Sequence, residues 1–293
     1  MPTPIPRTKS ELAPLLEARG LRLTKRLGQN FIVDPALADA IVADAGVRSD
    51  DLVVEIGAGA GGLTQPLLEA AGLVVAVELD RGMAALLDEY LGDHERFELH
   101  QVDALDGPDG LHPAITDAID RVAGEGGAAG AFQRVLVVAN LPYSCGTAVV
   151  SRLLRRDVTP ASIVAMLQRE VVDRLRAAPG TADYGPLAVL GLLRAKVEIV
   201  RKVPPNVFLP RPAVESAVFR VTPRPGGDAA SARAAVDLAA IAFRMRRKRL
   251  ARALKGTLDV NVIVAAGVDP DVRPERVTPE QWAALAARVA ERA

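Results

Sequence analysis

The most specific chemistry in the chain belongs to four consecutive residues, Asn140-Leu141-Pro142-Tyr143. An exocyclic amino group on an aromatic base is a poor nucleophile, because its lone pair is delocalised into the ring. The Asn140 side-chain oxygen and the Leu141 main-chain carbonyl are two acceptors, one for each N–H of such a group. Held by both, the nitrogen moves toward tetrahedral geometry and its lone pair is freed for an electrophile. Pro142 removes a competing donor and stiffens the turn. Tyr143 offers a face on which a flipped or unpaired base can stack. No strong general base is required, since the proton can leave after the transfer. The competing reading is a β-turn with a packed tyrosine.

A second set of residues lies upstream. Val53-Val54-Glu55-Ile56 runs into Gly57-Ala58-Gly59-Ala60-Gly61-Gly62, a turn that lets a ligand approach the backbone. Glu78 follows Gly57 by 21 residues, and a carboxylate there can accept from both hydroxyls of a ribose. NAD fits these two features equally well. Two details separate the readings: Glu55 precedes the first glycine, and Val102-Asp103-Ala104 ends a third apolar run. Together the Glu-x-Gly-x-Gly turn, the ribose acid and the later Asp resemble the signature of S-adenosylmethionine-dependent methyltransferases. That resemblance implies that Asp103 accepts from the adenine amino group of the cofactor. The alternative for Asp103 is a cap on the following helix.

These residues need a scaffold that brings the ends of several strands to one edge. Apolar runs at 52–56, 74–79, 97–102, 135–139 and 163–167 alternate with helical patterns at 61–71, 81–91, 111–122, 146–155 and 170–177. Continuous apolar strands between helices predict a parallel sheet covered on both faces, a doubly wound α/β domain. Two short helices precede it. One spans about 10–19, with Ser10 as cap and Gly20 as stop; the other starts at Asp34-Pro35 and stops at Gly46. Strands are predicted at 197–203 and 214–221. Gly124–Ala131 reads as a flexible loop and Pro223–Gly227 as a linker. Beyond the linker one long helix from about Ala229 is expected to carry a basic run. A final helix is capped by Thr278-Pro279-Glu280-Gln281, with Trp282, Leu285 and Val289 on its inner face.

Several segments together resemble the ribosomal RNA adenine dimethyltransferases. They are Arg26-Leu27-Gly28-Gln29-Asn30-Phe31-Ile32, Val54–Gly59, Val77-Glu78-Leu79-Asp80, Asn140–Tyr143, Met166–Val171 and Val203–Pro212 followed by Val214-Glu215-Ser216. The similarity spans about residues 20 to 290 and is greatest to the kasugamycin-resistance branch, which dimethylates two adjacent adenosines in the 3′-terminal hairpin loop of 16S rRNA. Phe243–Lys248 and Arg276–Trp282 resemble that branch's C-terminal helices. The resemblance implies a mostly parallel seven-stranded Rossmann-like methyltransferase sheet with a smaller all-helical domain. The boundaries expected are 1–222 for S-adenosylmethionine binding and catalysis and 228–293 for RNA. It further implies that Gln29, Asn30, Ile32, Gly57, Gly59, Glu78, Asp103, Ala104 and Asn140 hold the cofactor. Asn140, Leu141, Pro142 and Tyr143 form the catalytic turn. Phe208, Arg211, Arg244, Arg247, Lys248 and Arg252 are expected to meet RNA, with the small ribosomal subunit as partner. The macrolide-resistance branch, which acts on 23S rRNA, shares every cofactor feature. An rRNA-binding assembly factor is a reading of another class. Ser144-Cys145-Gly146-Thr147-Ala148 departs from the family's usual sequence after the tyrosine.

Charge supports a polyanionic partner. The chain has 36 basic and 36 acidic residues, yet Asp50–Glu125 holds 17 acids and three bases, a net of −14. Seven cations fall between Arg244 and Lys255 with no acid among them. A neutral protein that segregates charge in this way commonly faces nucleic acid; the alternative is a solvated helix face. Arg22, Lys25 and Arg26 are a second basic candidate. The 293 residues suit a large domain and a small one. A single cysteine, Cys145, excludes a disulfide or cysteine-based zinc site within one chain. His94, His100 and His112 have no ligand spacing, so no metal is expected. No apolar run reaches about 18 residues and no signal-peptide stretch begins the chain. A cytoplasmic monomer without membrane association is the expectation.

Overall fold

Asp51–Ile56 is buried along its whole length, as a strand covered on both faces must be. It is an interior strand of the main sheet. The computed structural model describes residues 5–21, 23, 27–123, 132–224 and 228–290. Arg22, Lys25, Arg26, the Gly124–Ala131 loop and Pro225–Gly227 of the expected linker lie outside the described residues.

The chain begins with α1 (Lys9–Ala18), β1 (Phe31–Ile32), α2 (Pro35–Ala45), β2 (Asp51–Ile56), α3 (Thr64–Ala70), β3 (Leu73–Val77) and α4 (Arg81–Leu91). There follow β4 (Phe97–His100), a small hairpin of β5 (Leu105–Asp106) and β6 (Gly110–Leu111), α5 (Pro113–Ala123), β7 (Arg134–Asn140) and α6 (Gly146–Arg155). Next come β8 (Ser162–Gln168), α7 (Arg169–Leu175), α8 (Pro186–Arg194), β9 (Ala195–Val203), β10 (Phe208–Leu209) and β11 (Ser216–Pro223). Helices α9 (Ala229–Phe243), α10 (Leu250–Ala253), α11 (Val260–Ala265) and α12 (Pro279–Ala290) close the chain.

The main sheet has seven strands in the order β4-β3-β2-β7-β8-β11-β9. β4, β3, β2, β7 and β8 are parallel neighbours, and β11 joins β8 antiparallel. The order reverses between β2 and β7, and at such a switch point the loops after the strands diverge and leave a crevice. Asp51 is buried at the start of β2 and is held by a two-point ion pair with Arg134 of β7, at 2.8 and 2.6 Å. α2 starts on the side chain of Asp34, which accepts from the Leu37 N–H at 3.1 Å, and stops at Gly46 with φ of 63°. α1 is capped by Thr8 rather than Ser10. Glu11 stands three residues after Thr8 and accepts its main-chain N–H at 3.0 Å, closing a capping box.

By compactness the residues fall into two units. One holds 1–153, 158–169 and 199–221; the other holds 154–157, 170–198 and 222–293. The second unit is therefore not the contiguous 228–293 segment, because α8 packs with α9 and α12. Within it Tyr184 donates its hydroxyl to the Val277 carbonyl at 2.8 Å, and its ring meets Phe243 edge-on at 6.0 Å. Trp282 and Leu285 are buried, as α12 was expected to place them. The Thr278–Gln281 box is formed, with Thr278 N–H donating to Gln281 Oε1 at 2.9 Å.

The long basic helix is not formed. α9 ends at Phe243, residues 244–247 make turns, and α10 begins only at Leu250. Two forces bend the chain there. Cations three and four apart on one helix repel, and Leu250, Ala253 and Leu254 turn inward, with the Leu250 N–H on the Val272 carbonyl at 2.7 Å. Arg246 pairs with Glu275 at 2.8 Å and Arg249 with Asp271 at 3.0 Å. Arg244, Arg247, Lys248 and Arg252 remain exposed.

Candidate cofactor and substrate site

The glycine turn after β2 is held against β3: the Gly57 N–H donates to the Val77 carbonyl at 2.8 Å. Gly57 and Gly59 have φ of 77° and 59°, a region that side chains disfavour. Space excludes a side chain as well. A Cβ on Gly57 would lie 3.0 Å from Pro142 Cδ, and one on Gly59 would lie 2.7 Å from the Phe31 ring. The turn therefore runs directly against the Asn140–Tyr143 segment and the 28–31 segment, with no bulk between them.

Glu78 lies one residue beyond β3 and is 6% exposed. Its Oε2 accepts the Gly59 N–H at 2.7 Å and its Oε1 the Asp80 N–H at 2.8 Å. Each oxygen keeps a lone pair for a further donor. Burial raises its carboxyl above the ordinary value, opposed by these two main-chain donors. Asp103 follows β4 and is exposed; its Oδ1 accepts the Leu105 N–H at 2.9 Å, ahead of the β5–β6 hairpin and not of a helix. Ala104 beside it is buried.

Asn140 ends β7. Its Nδ2 donates to the Asn30 main-chain oxygen at 2.7 Å. A carbonyl oxygen can only accept, so this bond fixes the amide with Oδ1 turned away and available as an acceptor. The Pro142 carbonyl accepts from the Gly146 N–H at 2.9 Å, tying the turn to the first residue of α6. Gly146 packs closely here: a Cβ would lie 2.3 Å from Leu167 Cδ2, so the Leu167 side chain would have to move. The Tyr143 hydroxyl bonds the Ser216 hydroxyl at the start of β11, and burial raises the Tyr143 phenol above its ordinary value. Ser216 is 1% exposed.

One cleft joins these parts. Gln29, Asn30, Gly57, Gly59, Glu78, Asp103, Ala104, Asn140, Leu141 and Pro142 all line it. Of the expected cofactor set, Ile32 is the exception. It is buried, pairs with Phe208 across β1–β10, and faces a smaller neighbouring cavity. Tyr143 stands beside the cleft on Ser216. Residues that the motifs did not single out also line it, among them Leu27, Phe31, Leu105, Ser144 and Cys145. Gly28 shares that lining, with φ of 66° and Ser144 N 3.0 Å from any added Cβ; its place in the Arg26–Ile32 segment was the signal in the sequence. Burial raises the Cys145 thiol above its ordinary value, so it is not an activated nucleophile.

Phe208 is a correction. It is 3% exposed and packs in the core with Ile32, Ile41 and Val203, so its ring is not available to stack on RNA. Arg211 is exposed. No cluster of metal-binding side chains occurs among the described residues, and no helix among them is long and apolar enough to cross a membrane.

S-Adenosylmethionine fits this cleft by the chemistry of its walls. The glycine turn brings bare main chain to the lining, the buried Glu78 carboxylate keeps lone pairs for further donors, and Asp103 adds an exposed carboxylate. Residues 20–291 match the family model for ribosomal RNA adenine dimethylase. The sequence is 38% identical to ribosomal RNA small subunit methyltransferase A of Alkaliphilus metalliredigens, over 97% of both chains. It is 36% identical to the protein of that name from Clostridium perfringens, over 92% of both. The fold is similar to a dimethyladenosine transferase from Plasmodium falciparum, with a TM-score of 0.67 and 21% identity over 86% of this chain and 94% of that one. It is similar also to the 23S rRNA methyltransferase ErmE, with a TM-score of 0.59 and 25% identity over 89% of this chain and 100% of that one. With a family match across nearly the whole length and relatives well above 30% identity, the chain belongs to the S-adenosylmethionine-dependent ribosomal RNA adenine dimethylases.

Proposed function

We propose that the protein dimethylates N6 of two adjacent adenosines in the 3′-terminal hairpin loop of 16S rRNA, during assembly of the small ribosomal subunit in the cytoplasm, and that it acts as a monomer. The observation that carries the chemistry is the Asn140–Asn30 hydrogen bond of 2.7 Å. It turns Asn140 Oδ1 out as an acceptor beside the glycine turn, and the Leu141 carbonyl, next in the chain, is the second acceptor that an amino group needs.

When bound, the cofactor supplies an electrophilic methyl group on a cationic sulfur. Glu78 holds its ribose, Asp103 its adenine, and the 57–59 turn lets it lie against the main chain. Gln29 closes one wall, its side-chain N–H on Asp80 Oδ2 at 3.0 Å. Asn140 and Leu141 hold the two N–H groups of the target, and Tyr143, steadied by Ser216, stacks on the base. After the first transfer one N–H remains, so the same acceptors orient the second. Arg211, Arg244, Arg247, Lys248 and Arg252 are the exposed cations for phosphate contacts. The small-subunit substrate is supported by the relatives at 36–38% identity over more than nine-tenths of the chain.

Primer extension on rRNA from a strain lacking the gene tests the reading, because dimethyladenosine stops reverse transcription. A stop near the 3′ end of 16S rRNA that is lost on deletion and restored by the gene is expected. A stop lost from 23S rRNA instead would establish the other branch.

A further inference from the structure

Among the described residues Glu55 is a buried acid that has no ion-pair partner, unlike Asp51, and that the site chemistry leaves unused. It sits in the middle of the sheet, one residue before the end of β2, and is 1% exposed. Its Oε2 has no hydrogen-bond partner among the described residues. Burial raises its carboxyl, Thr64 beside it pulls the carboxyl back down, and the Glu78 charge raises it further. The carboxyl borders a small cavity of its own, lined also by Phe31, Ile32, Gly57, Ala58 and Asn140. Gly57, Phe31 and Asn140 line the cofactor cleft as well, so Glu55 lies directly behind its wall. An unpaired buried carboxylate is costly, and burial pushes this group up to about 8, with the Glu78 charge adding to the shift.

We propose that Glu55 senses the charge of the cofactor: it is neutral in the free protein, loses its proton when the sulfonium form binds, and regains one when the neutral thioether product replaces it. The proposal rests on the placement of the transferring methyl beside Asn140, which borders both cavities. A cation there favours the ionised form of a carboxyl behind the wall. The proton balance closes. The amino group loses one proton for each methyl it gains, and the sulfur keeps the electron pair of the broken S–C bond and becomes neutral. Ionised Glu55 takes up one proton, so the net charge of the buried region is the same before and after transfer. By the same coupling the protonated wall favours the neutral thioether, and exchange for fresh cofactor is favoured as Glu55 gives up its proton again.

Calorimetric titration of the full chain at pH 7, in two buffers of different ionisation heat, tests this without any turnover. S-Adenosylmethionine is expected to release roughly half a proton or more beyond S-adenosylhomocysteine. In Glu55→Gln, and in Glu55→Met should the first fold poorly, that excess vanishes; the variants also subtract the titration of the ligands themselves. Between pH 6.5 and 7.5 the ratio of the two affinities should shift toward the sulfonium by up to about tenfold in the parent and stay nearly flat in the variants. Equal proton counts for both ligands in the parent, or an excess that persists in the variants, would overturn the role of Glu55. If neither ligand bound, the cofactor cleft itself would be wrong and the proposal would fall with it.

Discussion

Asn140 donates its side-chain N–H to the main-chain oxygen of Asn30, 110 residues upstream, at 2.7 Å. This bond makes the amide an oriented acceptor. Asn140→Ala should slow single-turnover methylation of small subunits by about 2–4 kcal/mol, because acceptor and positioning are both lost. Asn140→Asp should not restore the rate, since it sets a carboxylate oxygen against the Asn30 carbonyl. Parent-like turnover in the Asp variant would remove the importance of the amide's orientation.

Glu78 accepts from Gly59 and Asp80 at 2.7 and 2.8 Å, so it supports the turn as well as a ligand. Glu78→Ala should weaken S-adenosylmethionine by about 1.5–3 kcal/mol while RNA affinity changes little. Calorimetry and filter binding measure the two separately. An unchanged cofactor affinity would sink the ribose assignment.

Tyr143→Ala should cost roughly 1–3 kcal/mol in turnover through lost stacking, with cofactor affinity nearly intact. Ser216→Ala and Tyr143→Phe each remove one end of the hydroxyl pair and keep the ring. Each should cost about 0.5–1.5 kcal/mol, and the double variant should cost no more than either alone. Additive losses would mean that Ser216 does not act through Tyr143.

Glu55 also predicts how stability depends on pH. Burial pushes its carboxyl up to about 8 in the folded chain, from an ordinary value of 4.5. Between those values the folded state holds the extra proton. The contribution is full below about 4.5 and is lost as pH rises through 8. Glu55→Gln cannot titrate, so its stability relative to the parent should grow by a few kcal/mol between pH 5 and pH 8.5. Denaturant melts at the two pH values measure this. A constant difference would show that the carboxyl has an ordinary titration.

The basic turn after α9 leaves Arg247 and Lys248 exposed. Reversing both to Glu should weaken small-subunit binding and flatten its salt dependence, since each phosphate contact releases about one counterion. Fold stability and S-adenosylmethionine affinity should change little. Parent-like binding at physiological salt would leave RNA docking to be sought near Arg211.

The sequence by itself determined the alternation of strands and helices, because fully buried parallel strands must be written as unbroken apolar runs: β2, β7 and β8 stand within a residue or two of where those runs predicted. It also determined the cleft's chemistry. Glycines, Glu78 and Asn140–Tyr143 sit at strand ends, and a sheet that puts all its carboxyl ends at one edge gathers them. Tertiary structure decided what depends on partners far along the chain. The β1–β10 pairing buries Phe208 against Ile32, and no local pattern in 206–212 marks that ring as core. α8 reads Pro-Leu-Ala-Val-Leu-Gly-Leu-Leu-Arg, apolar all round, and periodicity cannot tell such a segment from a buried strand. The basic run kept its exposure but not its helix, because Leu250 and Leu254 found a core to enter and Glu275 and Asp271 found two of the arginines. Glu55 was legible as a motif residue. Only the tertiary structure buried it beneath the glycine turn, where desolvation raises its carboxyl.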